Sequence, residues 1–209
     1  MLKVFFLLFE PAVAWEKISN AKRGYAYILG TYLLPVILLA CAVEGWGLMH
    51  WGKWRPTYKK IVGFSDQTIW RYEMLQAVLF LAVIFICAGL VHIASQNFHG
   101  KRTYLQTFTA IAYGFSPLLY LHTLNAWAMM HPAIPWCLGI VMTMWVLYQG
   151  IPRVIAPDPT HAFGVYLSAL FIVVLMSAIV RLLTAMFLLG QYNFQRSAIT
   201  RALGQWLGQ

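Results

Sequence analysis

Charge is what this chain has least of. Of its 209 residues only 10% are charged, and just six are acidic, while 61% are hydrophobic. A soluble domain carries roughly 25% charged residues to coat its surface. Six acidic and fifteen basic side chains cannot provide that coat, whereas a lipid-facing surface needs none. Cysteine is also scarce. Cys41, Cys87 and Cys137 each lie inside an apolar run, with no second Cys or His at metal-finger spacing. No HExxH, paired CxxC or carboxylate cluster occurs, and Gly45 and Gly47 are not followed by the GK[ST] of a phosphate-binding loop. These absences leave no site for an enzyme and no cofactor ligand set.

The net charge of +9 comes from clusters placed between apolar runs: Lys17, Lys22 and Arg23; Lys53, Arg55, Lys59 and Lys60; Lys101 and Arg102. Such clusters hold loops at anionic headgroups. No basic groove accompanies them, so nucleic acid is not an expected partner. The start of the chain has Lys3 and a short apolar stretch, which Glu10 and Pro11 interrupt. Trp15-Glu16 after Ala12-Val13-Ala14 is a poor start for a mature chain, so no cleavage is expected and the segment should lie in the interface.

A spanning helix needs about 20 apolar residues. Five stretches qualify as candidates: 25–45, 74–94, 105–127, 134–148 and 163–183, the last extending toward Leu189. The expected fold is all-α: a polytopic integral membrane protein with five transmembrane helices and amphipathic N- and C-terminal segments. Its expected parts are an interfacial segment 1–24, a five-helix domain 25–190 and an amphipathic helix 191–209. Pro35 and Pro117 should kink the first and third spans, with hydroxyls such as that of Ser116 satisfying the freed backbone groups. Trp46, Trp51, Trp54, Trp70 and Tyr72 flank the first loop as an interfacial belt, and 51–72 reads as the only sizeable loop. Ala110 and Gly114 form a small-xxx-small pair that permits close helix approach. In the tail, Phe194, Ala198, Ala202 and Trp206 recur every fourth residue beside Ile199, Leu203 and Leu207, the pattern of an amphipathic helix. It would rest on headgroups or dock a partner subunit.

Orientation is balanced. Lys3, Lys17, Lys22, Arg23, Lys101, Arg102 and Arg153 fall on one side, and seven other Lys and Arg on the opposite one. The cluster before the first span favours a cytoplasmic N-terminus.

Three stretches together resemble the Yip family, the Rab- and Ypt-interacting five-span membrane proteins, in its small bacterial members. FEPAVAWEKI (9–18) is similar to a P-x-x-x-W-x-x-I lead-in, TFTAIAYGFSPLL (107–119) to the third-helix pattern, and LYQGIPRVIAPDPTHAFGVYL (147–167) to a Y-x-G-[IV]-P exit from the fourth span. The likeness covers about residues 5 to 190 and leaves aside 51–72 and the tail. It implies five spans, a cytoplasmic N-terminus and no catalytic residues.

Charge inside a span costs about 2.5–3.5 kcal/mol at the helix centre. Glu44 and Arg181 lie late in the first and fifth spans, which run the same way, so they should share one depth. They form a candidate intramembrane ion pair, or each snorkels to the interface. His92 and His122 lie late in antiparallel spans and so cannot hold one haem iron together. Polar groups such as Asn125 and Gln149 fall near helix ends, away from a midplane transport path. The expected function is non-catalytic, a scaffold or accessory subunit in a bacterial inner membrane acting by contact with other membrane proteins; the alternative is a small transporter or channel.

Overall fold

A computed structural model describes residues 10–21, 23–55, 60–98, 103–155, 157 and 160–207, with backbone alone described for Pro11, Arg55 and 191–207. Helix α1, Pro11–Asn20, starts on a proline, whose missing N–H costs nothing in a first turn. Helix α2, Tyr25–Trp51, contains a π-helical turn over Leu29–Leu33 just before Pro35. The wider turn is where the expected distortion at Pro35 is taken up. At Gly52 the backbone adopts φ 67°, a left-handed conformation that favours glycine. The chain then turns into strands β1, Lys53–Arg55, and β2, Lys60–Val62, an antiparallel hairpin.

Helix α3, Asp66–Asn97, begins eight residues before the expected start at Met74. Ser65 caps it, its Oγ accepting from the Thr68 N–H at 3.4 Å, and Asp66 sits in the first turn. The expected loop 51–72 is therefore mostly hairpin and helix.

The third expected span is not one helix. It is α4, Tyr104–Gly114, then α5, Ser116–His122, then a 3₁₀ turn over Thr123–Ala126. Pro117 supplies the break, because it cannot donate to the carbonyl of Tyr113. The Ser116 hydroxyl donates to that carbonyl at 2.6 Å, and Tyr32 in turn bonds to Ser116. Helices α6, Ala133–Val154, and α7, Ala162–Leu207, complete the chain. Four helices are long and apolar enough to cross a membrane: Tyr25–Trp51, Asp66–Asn97, Ala133–Val154 and Ala162–Gly190. The protein is an all-α integral membrane protein with these four candidate spans, and the broken segment is not among them.

That segment runs along α3. At its start the Tyr104 ring meets His92 edge-on at 5.8 Å and its hydroxyl donates to Phe85 O at 3.2 Å. Toward its end His122 lies beside Gln76, sixteen residues back from His92. Residues 107–119 are buried almost throughout. Broken backbone at membrane depth is tolerated where protein, not lipid, surrounds it.

The core joins the three stretches that carry the family likeness. Trp15 is fully buried, and its Nε1 donates to Val146 O at 3.0 Å. A Cβ on Gly150 would stand 2.5 Å from the Trp15 ring, so only glycine lets α1 seat on α6. Tyr113 meets the same ring edge-on at 6.3 Å. Gly114 faces Leu147 with no room for a side chain, the close approach expected of the Ala110–Gly114 pair. Lipid-facing positions on α7 are large and apolar, among them Phe171, Leu175 and Met186. The expected interfacial placement of residues 1–9, and the face presented by the tail side chains, lie outside what the structure describes.

Candidate functional site

A polar cluster closes one end of the bundle. Glu44, in the last third of α2, is 4% exposed. Its Oε2 accepts from Gln76 Nε2 and lies 2.6 Å from both that atom and His122 Nε2, while the Tyr72 hydroxyl approaches Oε1 at 3.4 Å. Two chain segments thus deliver three donors to one carboxylate. On α3, Tyr72 and Gln76 are four apart and so share a face; His122 comes from the last turn of α5. Asn125 Nδ2 lies 3.0 Å from His122 Nδ1. With the amide donating there, the imidazole carries its proton on Nε2 and gives it to Glu44.

The hairpin pins this arrangement from outside. Lys53 Nζ donates to Asn125 O at 2.5 Å and to Trp127 O at 3.4 Å, and the Trp54 N–H donates to Ala128 O at 2.9 Å. These bonds occupy carbonyls left open where the 3₁₀ turn ends. Gly47 lets the turn come close: a Cβ there would meet the Ala126 backbone carbon at 2.7 Å. Next to Tyr72 on α3, Glu73 is 9% exposed, packs at Gly45, and has neither carboxylate oxygen hydrogen-bonded among the described residues.

Beside the cluster is a cavity of about 270 Å³ between α2, α3, α6 and α7, with Glu44, Gln76 and His122 on one wall and Trp136 and Arg181 on another. Arg181 lies over the Trp136 ring, 5.4 Å from its centroid, a cation–π contact. The two residues expected at one depth thus border one cavity. The partner that the structure gives the Glu44 carboxylate is the His122 imidazole, 2.6 Å away.

Sequence reasoning missed Tyr72, Glu73 and Gln76 because it began the second span at Met74 and so left the first two outside the membrane. The signal was the Ser65-Asp66 cap, which starts α3 early enough to carry all three inward. His92 and His122 lie far apart along α3: His122 stands beside Gln76, and His92 is sixteen residues further along, roughly 24 Å. Among the described residues, no group of three His, Cys, Asp or Glu is arranged to hold a metal ion.

Fold and cluster define the class, a polytopic α-helical membrane protein with a polar pocket at one end. The Yip1 domain matches residues 5–182, and the chain belongs to that family, which is non-catalytic. The match takes in the hairpin and the whole polar cluster and stops short of the tail. No curated protein and no solved structure matches the chain.

Proposed function

We propose that this protein works through protein–protein contacts in a bacterial inner membrane, as a scaffold or accessory subunit of a membrane complex. The observation that carries this reading is the length of α7. Its 46 residues extend roughly 69 Å, against about 30 Å of hydrocarbon. The stretch 191–207 continues the helix for roughly 25 Å past the apolar span. It bears the four-residue apolar repeat of Phe194, Ala198, Ala202 and Trp206. A helix with that pattern beyond the bilayer offers a partner a row of anchors.

The accompanying topology is five crossings, with the N-terminus cytoplasmic and the C-terminus periplasmic. The course of 104–126 along α3 supports the fifth crossing, since Tyr104 meets His92 and His122 meets Gln76, sixteen residues or roughly 24 Å apart on that helix. Residues 1–24, 25–190 and 191–209 then act as entry segment, membrane domain and docking helix. Glu44 and Arg181 are proposed to couple electrostatically across their shared cavity.

Purification of the full chain in mild detergent tests the function. Other membrane subunits are expected in stoichiometric amounts, and truncation after Gly190 is expected to release them. A chain that purifies alone and moves a solute in liposomes refutes the proposal and establishes transport instead. Reporter fusions at the two ends test the topology; both ends on one side refute five crossings.

A further inference from the structure

The geometry points to the cavity beside Arg181 as a seat for the phosphate of an anionic phospholipid headgroup. A guanidinium has five N–H donors and no acceptor. Among the described residues Arg181 has no carboxylate partner at ion-pair distance and no side-chain hydrogen bond; its guanidinium lies over the Trp136 ring. A cation so placed near hydrocarbon calls for an anion.

The neighbouring polar groups are already committed in ways that leave Arg181 free. Trp136 Nε1 donates to Ser177 Oγ at 3.2 Å, and Ser177 donates to Val174 O at 3.0 Å. The Thr184 hydroxyl donates to Arg181 O at 3.1 Å. Glu44, the carboxylate on the opposite wall, is engaged by Gln76 and His122.

A second donor is fixed by its own hydrogen bond. His131 lines the cavity, and its Nδ1 accepts from the Ala133 N–H at 3.2 Å. The neutral ring therefore carries its proton on Nε2 and can donate to a ligand. A planar guanidinium and an imidazole N–H are a donor set suited to phosphate oxygens.

A lipid is favoured over a free ion by the rest of the wall and by its depth. Leu48, Met129, Val180 and Leu188 supply apolar lining. Trp46, Trp51 and Trp127 are about half or more exposed at this end of the bundle, and such tryptophans mark headgroup level. About 270 Å³ holds a headgroup phosphate and its glycerol, being close to the small end of ligand pockets, and leaves the acyl chains in the bilayer.

Lipid binding to the full chain in detergent, read by native mass spectrometry, tests the site with phosphatidylglycerol and phosphatidylcholine as probes. Phosphatidylglycerol is expected to bind the unaltered chain more tightly than phosphatidylcholine. Arg181→Met is expected to weaken it roughly tenfold or more, the loss of a charge-assisted hydrogen bond. Arg181→Lys should retain most of the binding, His131→Ala should weaken it several-fold, and excess inorganic phosphate should leave the lipid in place. If Arg181→Met does not fold, the His131→Ala and Arg181→Lys arms and the lipid preference decide. Equal binding by the unaltered chain and either weakening variant overturns the site, as does equal affinity for the two lipids. Displacement by inorganic phosphate overturns the lipid as occupant.

Discussion

Replacing His122 by leucine removes one of the three donors that meet the Glu44 carboxylate. The carboxylate keeps Gln76 at 2.6 Å and Tyr72 at 3.4 Å, so it is weakened rather than orphaned. Two magnitudes compete. Breaking a buried ion pair in a soluble protein costs 3–5 kcal/mol, whereas hydrogen bonds between membrane helices average about 0.6 kcal/mol. The side chains of Glu44 and His122 are 6% and 20% exposed and 2.6 Å apart, closer to the first case. One donor of three is lost, which reduces the cost to that of a single hydrogen bond to a charged group, about 1.5–3 kcal/mol. For a chain of this size, 1 kcal/mol moves Tm by about 2–4 °C, so His122→Leu should melt roughly 3–12 °C lower. Glu44→Gln removes the charge that His122 serves, and the double variant should recover at least about 1 kcal/mol of the summed losses. The assay is thermal unfolding in detergent, followed by tryptophan fluorescence. An unchanged Tm for His122→Leu, or strictly additive losses, would refute the account of the cluster.

Gly150→Ala places a methyl against the fully buried Trp15 ring and should cost about 1–3 kcal/mol as overpacking. Gly89→Ala, with nothing within 4 Å, should hold or slightly raise Tm; equal melting of the two would show that α1 is not seated as described. The cycle of Glu44→Gln with Arg181→Met should show a coupling of about 0.5–1 kcal/mol across the shared cavity. Additivity within error there would refute that coupling.

Much of this protein was legible one residue at a time. Lipid demands apolar runs of a set length and internally satisfied backbone, and both demands are written locally. Hence the four long helices, the distortion before Pro35 and the role of the Ser116 hydroxyl beside Pro117 could all be anticipated. The family motifs were legible as well, although not their meaning. Trp15, Tyr113 and Gly150 stand far apart in the chain, and their use is to touch.

What the amino-acid order determined by itself was the medium and the placement of apolar segments; a common depth for Glu44 and Arg181 was an expectation from the same count. Only the tertiary structure decided which neighbour each charge meets. Depth follows from counting residues along a helix at 1.5 Å each. Azimuth and adjacency depend on how helices pack, and in lipid no hydrophobic force makes one apolar face differ from another. His122 reaches Glu44 because Pro117 breaks the third segment and Gly47 lets the 3₁₀ turn approach α2. His122 itself stands 78 residues from Glu44 in the chain. The break also turned an expected fifth long helix into a buried, bent segment, because the surrounding helices, not lipid, satisfy and cover its backbone.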